Sequence, residues 1–394
     1  MTDMVSMSAD AAGTVAARLR AVNGELADLY LERSDVVRAL TVGVLAGQHS
    51  LLLGPPGTAK SELARELTSR IDGARFWEIL LSRFSDPKSI FGPIDVAALT
   101  AGRYVQLLDG RATTADVGFV DEIFKCGPAA LNSMLAFMNE RVYHPENGDA
   151  PVRCPLLSLV CASNELASGD ELSAIFDRLL IRLEVGYLRD PQNFRALLRS
   201  SVAPAVPPTR TTLDLADLRA AVKTGVPAVK IPDAVIEAVA DLRAGLRAQE
   251  LTASDRRWKQ CMRLVQASAF LDGRPEAGPD DVLVLAHALW ETVETRVAVE
   301  RVVLELVHPA SGEALTLGDA VAELGHELDA KAGQSIEKLS DWVIKKANPE
   351  LRKAAKRLAE LLREAEVAGR PTAVLREAAA RCAELQERIR NEVL

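Results

Sequence analysis

Nowhere in the 394 residues do about 18 apolar residues run together without a charge, so no helical membrane span is expected. Residues 1–13 are small and polar, with no basic start leading into an apolar run. That excludes a secretory signal of the usual kind and points to the cytoplasm. Cysteine is sparse. Cys126, Cys154, Cys161, Cys261 and Cys382 are scattered, odd in number and without C-x-x-C spacing, which argues against a disulfide framework and against a zinc site. Reduced, mostly buried thiols are expected instead. A basic excess is missing too, since the net charge is −8. Wrapping nucleic acid usually needs a basic face that releases counterions from phosphates, so DNA or RNA is disfavoured as principal partner.

What is present is enough chain for two or three domains at roughly 150 residues each. The 48% hydrophobic and 26% charged composition is ordinary for a soluble protein. From about residue 28 to 190, apolar runs of strand length alternate with helical stretches. The candidate strands are 51–53, 76–81, 117–120, 156–162 and 180–185, and the alternation predicts an α/β core with a five-stranded parallel sheet covered by helices on both faces.

Pro204, Pro207, Pro208, Pro227 and Pro232 mark a linker after that core. Beyond it come helical segments at 235–249, after Ser254, and opening at Pro279-Asp280-Asp281. In the last hundred residues Leu351, Ala355, Leu358, Leu362 and Ala365 recur at helical spacing, as do Leu375, Ala378, Cys382, Leu385 and Ile389 beyond the Gly369-Arg370-Pro371 break. An antiparallel helical hairpin packed within the chain is expected. The domain plan is then a partly disordered, then helical segment 1–27, an α/β core 28–200, a linker 201–231, an all-helical domain 232–297 and a helical C-terminal region 298–394.

The strongest chemical signal is Gly54-Pro55-Pro56-Gly57-Thr58-Ala59-Lys60-Ser61, which follows the apolar run 51–53 and precedes a helical stretch. Phosphates need backbone N–H donors at a helix N-terminus, a cation, and a hydroxyl for Mg²⁺. The turn, Lys60 and Ser61 supply these respectively, which implies ATP and Mg²⁺ as cofactors. Ala59 departs from the usual glycine, and its β-carbon is expected to require a negative φ there.

About 60 residues on, Val117-Gly118-Phe119-Val120-Asp121-Glu122 is an apolar strand ending in two acids. Asp121 is placed to hold Mg²⁺ through water, and Glu122 to orient and deprotonate an attacking water. The strand 156–162 ends in Ser163-Asn164, which puts a neutral amide near the γ-phosphate as a sensor of hydrolysis.

These motifs make the chain resemble the MoxR branch of AAA+ ATPases, and within it the RavA-like group, over about residues 32–282. The resemblance is also carried by Arg83-Phe84-Ser85-Asp86-Pro87 with Phe91-Gly92-Pro93, by Asp121-Glu122-Ile123-Phe124-Lys125-Cys126-Gly127-Pro128, by Asn139-Glu140-Arg141 and by Ser254-Asp255-Arg256-Arg257-Trp258.

It implies an AAA+ P-loop core followed by an all-helical lid. It also implies a homo-oligomeric, usually hexameric ring with ATP at subunit interfaces, Walker A and B segments, a chaperone-like action on a protein substrate, and a von Willebrand factor A domain protein as partner. Arg178 matches the arginine finger that reaches a neighbour's γ-phosphate. Arg256 matches the lid sensor contacting phosphates of its own subunit, with Arg257 as the alternative. The segment 83–109 matches an insertion facing the ring pore, where Phe84, Phe91 or Tyr104 would touch substrate or would pack the insertion onto the core. This chain ends in helices instead of the β-rich insertion and long extension of some RavA-like members. A nucleic-acid-stimulated motor and a nucleotide-gated scaffold with little turnover are the competing functions.

Overall fold

The computed structural model of the chain describes residues 7–145, 148–166, 170–202, 210–331, 336–370 and 372–393. It divides into two compact units, residues 1–237 with 252–296, and residues 238–251 with 297–394.

In the first unit the helices α1 (Ala9–Leu29) and α2 (Ser34–Ala46) precede strand β1 (His49–Leu53). Helix α3 (Lys60–Ser69) and strands β2 (Phe76–Leu80) and β3 (Val117–Asp121) follow. Then come α4 (Pro128–Glu140), β4 (Ser158–Ser163), α5 (Asp170–Arg178) and β5 (Leu179–Glu184).

All five expected strands form, in the order β2-β3-β4-β1-β5, and every neighbouring pair is parallel. Parallel strands covered on both faces read as continuous apolar runs. Each residue of β1 and of β4 is accordingly buried. The interior strand β1 thus delivers residue 54, and β3 and β4 deliver residues 122 and 164, to the C-terminal end of the sheet. Helix α2 lies close because it is apolar nearly all round: ten residues from Val36 to Ala46 are buried.

Later in this unit Ser254 caps α6 (Asp255–Leu271), its hydroxyl accepting from the Arg257 N–H at 3.2 Å. The segment opening at Pro279 is a 3-10 helix, Pro279–His287, where a third α-helix was expected. Asp281 tightens its start by accepting from the Gly278 N–H at 2.8 Å and from both terminal nitrogens of Arg274 at 2.7 Å.

The second unit contains α7 (Pro309–Ala330), α8 (Asn348–Val367) and α9 (Ala373–Val393). Its core joins Val321, Leu324 and Leu328 of α7 to Leu351, Leu358 and Leu361 of α8 and Leu375, Cys382 and Leu385 of α9. The expected hairpin is α8 and α9, packed within the chain, with α7 as a third partner that the spacing argument did not supply. All five cysteines are buried thiols. Among the described residues no helix is long and apolar enough to cross a membrane. Of the prolines read as the linker, Pro204, Pro207 and Pro208 lie outside the described residues, as does Pro371 of the hairpin break.

Candidate functional site

Residue 54 leaves β1 against β5. Gly54 has φ 153°, and a β-carbon there would lie 2.0 Å from the Val185 carbonyl oxygen, so the turn needs glycine. Gly57 has φ 78°. Ala59 has φ 64° and ψ 22°, which corrects the expectation of a negative φ. It is the residue that turns the loop into α3, and the left-handed conformation costs alanine about 1–2 kcal/mol.

The loop closes on itself through Thr58 Oγ1, which donates to the Pro55 carbonyl at 3.0 Å. Lys60, only 8% exposed, donates from Nζ to the Gly54 and Pro55 carbonyls at 2.6 and 2.9 Å. Burial pulls its pKa below the usual lysine value, and the charges of Asp121 and Glu122 work against that. Ser61, half-buried, follows it in the first turn of α3.

Asp121 ends β3, and its Oδ1 accepts from the Glu122 N–H at 3.0 Å. Glu122 itself sits at φ 55° and ψ 43°, a turn that swings its side chain back over the strand ends. Asn164, directly after β4, joins the two motifs. Its Oδ1 lies 3.4 Å from Lys60 Nζ and its Nδ2 donates to Glu122 Oε1 at 3.1 Å. Lys125 Nζ meets the same Oε1 at 3.0 Å. Glu122 Oε2 is buried with no hydrogen-bond partner.

A buried carboxylate oxygen left without a donor is costly unless something else occupies its lone pairs. The site therefore fits a phosphate ligand with a metal-bound or attacking water: a glycine-turned loop at a helix N-terminus, a cation, a hydroxyl, one carboxylate for metal and one oxygen held free. Lys125 belongs to the motif 121–128, which by itself gives it no role. Its i+3 spacing from Glu122 on a 3-10 turn, Ile123–Lys125, would have indicated the contact.

The two candidate arginines lie at the other end of the sheet. Arg178 immediately precedes β5, whose first residue Leu179 pairs with His49, the first residue of β1. The five residues of β1 span about 16 Å, which separates Arg178 from the 54–61 loop. Its Nη1 donates to the Ala174 carbonyl at 2.5 Å, and Nε is buried without a hydrogen-bond partner.

Arg256 donates from Nη2 to Asn139 Oδ1 at 2.9 Å, near the C-terminal end of α4. That end is fixed beside the start of β1, because His49 Nε2 lies 2.9 Å from the Met138 carbonyl. In this structure Arg256 therefore lies away from its own chain's loop. Burial, then the charge of Arg256, pulls the Arg178 pKa down, so the two guanidiniums share one neighbourhood. Arg257, 3% exposed, is committed elsewhere: it donates to the Ala288 carbonyl at 2.8 Å and to Asp177 Oδ1 at 3.1 Å.

In the segment 83–109 Phe91 is a core residue, stacked on Tyr143 at 4.4 Å and edge-on to Phe137 at 5.4 Å. Phe84 is 96% exposed. The three aromatics are thus not equivalent: Phe91 packs the segment down, Phe84 stands off it and Tyr104 is half-buried.

Comparison with known proteins agrees with this fold. A family model described as the MoxR domain in the MoxR-vWA-beta-propeller ternary systems matches residues 17–220, and an AAA lid domain model matches residues 234–303. Two uncharacterized proteins of Methanocaldococcus jannaschii are each 32% identical to the chain. One is aligned over 79% of this chain and 80% of its own length, the other over 79% and 81%. Chaperone MoxR1 of Mycobacterium tuberculosis is 27% identical over 49% of this chain and 50% of its own. A crystal structure from Cytophaga hutchinsonii, named as a candidate ATPase, shares the fold with a TM-score of 0.61 at 18% identity, over 74% of this chain and 95% of its own. With its family model covering residues 17–220 and a lid model following, the chain belongs to the MoxR family of AAA+ ATPases.

Proposed function

We propose that copies of this chain assemble into a ring, hydrolyse ATP at sites shared between neighbours, and use the cycle to remodel a protein partner. The observation that carries this reading is the separation within one chain of two halves of a phosphoryl-transfer site. Lys60, Asn164 and Glu122 are joined at one end of the sheet, while Arg178 and Arg256 sit about one strand length away at the other. Phosphoryl transfer needs positive charge near the transferred group, and a guanidinium supplied by a second molecule is a common source. A ring in which one copy's Arg178 faces the next copy's 54–61 loop reunites the halves.

In this reading the backbone N–H groups of residues 57–60, with the Lys60 ammonium, bind the phosphates. Ser61 Oγ and Asp121, the latter through water, would hold Mg²⁺, which would supply charge neutralisation. Glu122 Oε2 takes the proton from the attacking water, and Asn164 keeps that carboxylate aimed. Arg178 offsets the developing charge on the neighbour's site, and Arg256, placed beside it, faces the same interface.

Six copies are proposed on the family resemblance. A von Willebrand factor A domain protein is the proposed partner, with a β-propeller protein as a third component, on the description of the matching family.

ATP hydrolysis measured against protein concentration, with assembly followed by light scattering, tests the proposal. Specific activity is expected to rise with assembly, Lys60→Ala to lose nucleotide binding, and Glu122→Gln to bind without turnover. An equal mixture of Arg178→Ala and Glu122→Gln copies is expected to recover activity. Concentration-independent turnover with a silent Arg178→Ala would sink the shared site and leave a nucleotide site alone.

A further inference from the structure

The carbonyls on both sides of Arg178 are held by two buried guanidiniums. Arg182, on β5 and 1% exposed, donates from Nε to the Leu179 carbonyl at 3.1 Å and from Nη2 to the Phe176 carbonyl at 3.0 Å. Its Cζ lies 3.6 Å over the Phe176 ring. Arg257, on α6, donates from Nη2 to the Asp177 carbonyl at 3.1 Å as well as to its carboxylate. Residues 176, 177 and 179, which bracket Arg178, are therefore all tied.

The same two groups reach a second segment. Arg257 Nη1 donates to the Ala288 carbonyl at 2.8 Å, and Arg182 Nη1 donates to the Trp290 carbonyl. Trp290 is itself buried, with its ring 6.0 Å from Arg182 Cζ.

Placing two cations side by side in a protein interior is unfavourable. Burial, followed by the charge of Arg257, pushes the Arg182 pKa well below the usual arginine range. An apolar pair would fill the same space without that penalty. What a guanidinium does that an apolar group or an ammonium does not is hold carbonyls of two segments at once, through five donors in a rigid fork.

We infer that Arg257 and Arg182 are positioning residues for Arg178, locking its backbone in register with α6 and residues 288–290 so that a shift of that segment moves the guanidinium offered to the neighbour. This rests on the reading of Arg178 as a group that serves the next copy's site. It gives Arg257 a role that requires no phosphate contact.

The test uses the full chain with Arg257→Gln, Arg257→Lys and Asp177→Asn. Each variant's own 54–61 loop is intact, so affinity for a fluorescent ATP analogue is expected to stay within about twofold. Turnover is expected to fall about tenfold or more for Arg257→Gln, because a small misplacement of a charge-stabilising group is costly. Arg257→Lys is expected not to rescue it, since an ammonium does not present the fork. Asp177→Asn, which alters a side chain 42% exposed, is expected to lose about threefold.

Mixing separates the causes. Glu122→Gln copies carry an intact Arg178 and are expected to restore turnover to Arg257→Gln and to Arg178→Ala alike. If Arg178→Ala is complemented and Arg257→Gln is not, or if Arg257→Gln loses its own nucleotide affinity, the positioning role is wrong and the shared site stands. If Arg178→Ala is not complemented, the shared site itself has failed. Should Arg257→Gln not fold, Arg257→Lys and Asp177→Asn decide, and wild-type turnover in both overturns the inference.

Discussion

Asn164 Nδ2 donates to Glu122 Oε1 at 3.1 Å, and this bond, together with Lys125 on the same oxygen, leaves Oε2 as the free corner of the carboxylate. Asn164→Ala removes the restraint while Lys60 keeps its carbonyl partners on Gly54 and Pro55. The turnover number is expected to fall about 10- to 100-fold, the scale seen when a catalytic group is misaligned, with ATP affinity nearly unchanged. Asn164→Asp is expected to be worse, because it also sets a like charge against Glu122. Steady-state phosphate release checks both, and a normal rate for Asn164→Ala would reject the alignment role.

Two small residues in one loop are expected to respond oppositely to exchange. Gly54→Ala drives a β-carbon to 2.0 Å from the Val185 carbonyl oxygen and would force apart the Val185 N–H bond to the Leu53 carbonyl, now 2.7 Å. A loss of about 4 kcal/mol or more is expected. Ala59→Gly relieves about 1–2 kcal/mol of left-handed strain, offset by about 0.4–1 kcal/mol of extra unfolded-chain entropy. Its stability in urea unfolding is expected to be unchanged or up to about 1.6 kcal/mol higher. A clear loss would mean that the Ala59 conformation carries no strain.

The same contrast shows what the chain order makes legible. Strand, turn and helix start are adjacent in sequence, so the loop around Lys60 was readable from residue types alone. The five strands were readable because a sheet buried on both faces needs unbroken apolar runs. The place of Arg256 was not legible, because it depends on α6 meeting the far end of α4, a contact between residues 117 apart that no local pattern encodes. Arg257 looks like a solvated helix-start charge in sequence, and only packing reveals it and Arg182 as buried ties. Phe84 and Phe91 are both aromatic and seven residues apart, yet one is fully exposed and the other lies against Tyr143. The direction of a side chain in an irregular segment is set by tertiary contacts.

The three-helix core offers a test of which stripe of α8 is buried. Spacing from Leu351 suggested Ala355, Leu358 and Leu362, whereas the buried face runs Leu351, Ala354, Leu358, Leu361 and Ala365. Leu358→Ala and Leu361→Ala each empty a fully enclosed position and are expected to cost about 2–5 kcal/mol. Leu362, packed only at the margin of the cluster, is expected to cost clearly less on the same exchange. Thermal unfolding of the three variants, compared at one protein concentration, ranks them, and equal losses at 361 and 362 would contradict the packing.

His49 makes the stability of the first unit sensitive to pH. Its Nδ1 accepts from the Leu159 N–H at 2.8 Å, while Nε2 lies 2.9 Å from the Met138 carbonyl and 2.6 Å from Arg141 Nη1. A proton entering at Nδ1 would stand against the Leu159 donor, in a site that excludes water. Burial first, and the Arg141 charge second, hold its pKa well below the ordinary histidine value of 6.5. Because the folded pKa is the lower one, the unfolded chain binds the proton first. Above about pH 6.5 neither state is charged at this residue and nothing is lost; below it, stability falls as pH falls, by up to about 1.4 kcal/mol per unit. Urea unfolding between pH 7.5 and 5.5 is expected to show this slope, and His49→Asn, though less stable throughout, is expected to reduce it by one proton. An unaltered slope in His49→Asn would mean that the ring takes up a proton in the folded state and that the Leu159 contact does not keep it neutral.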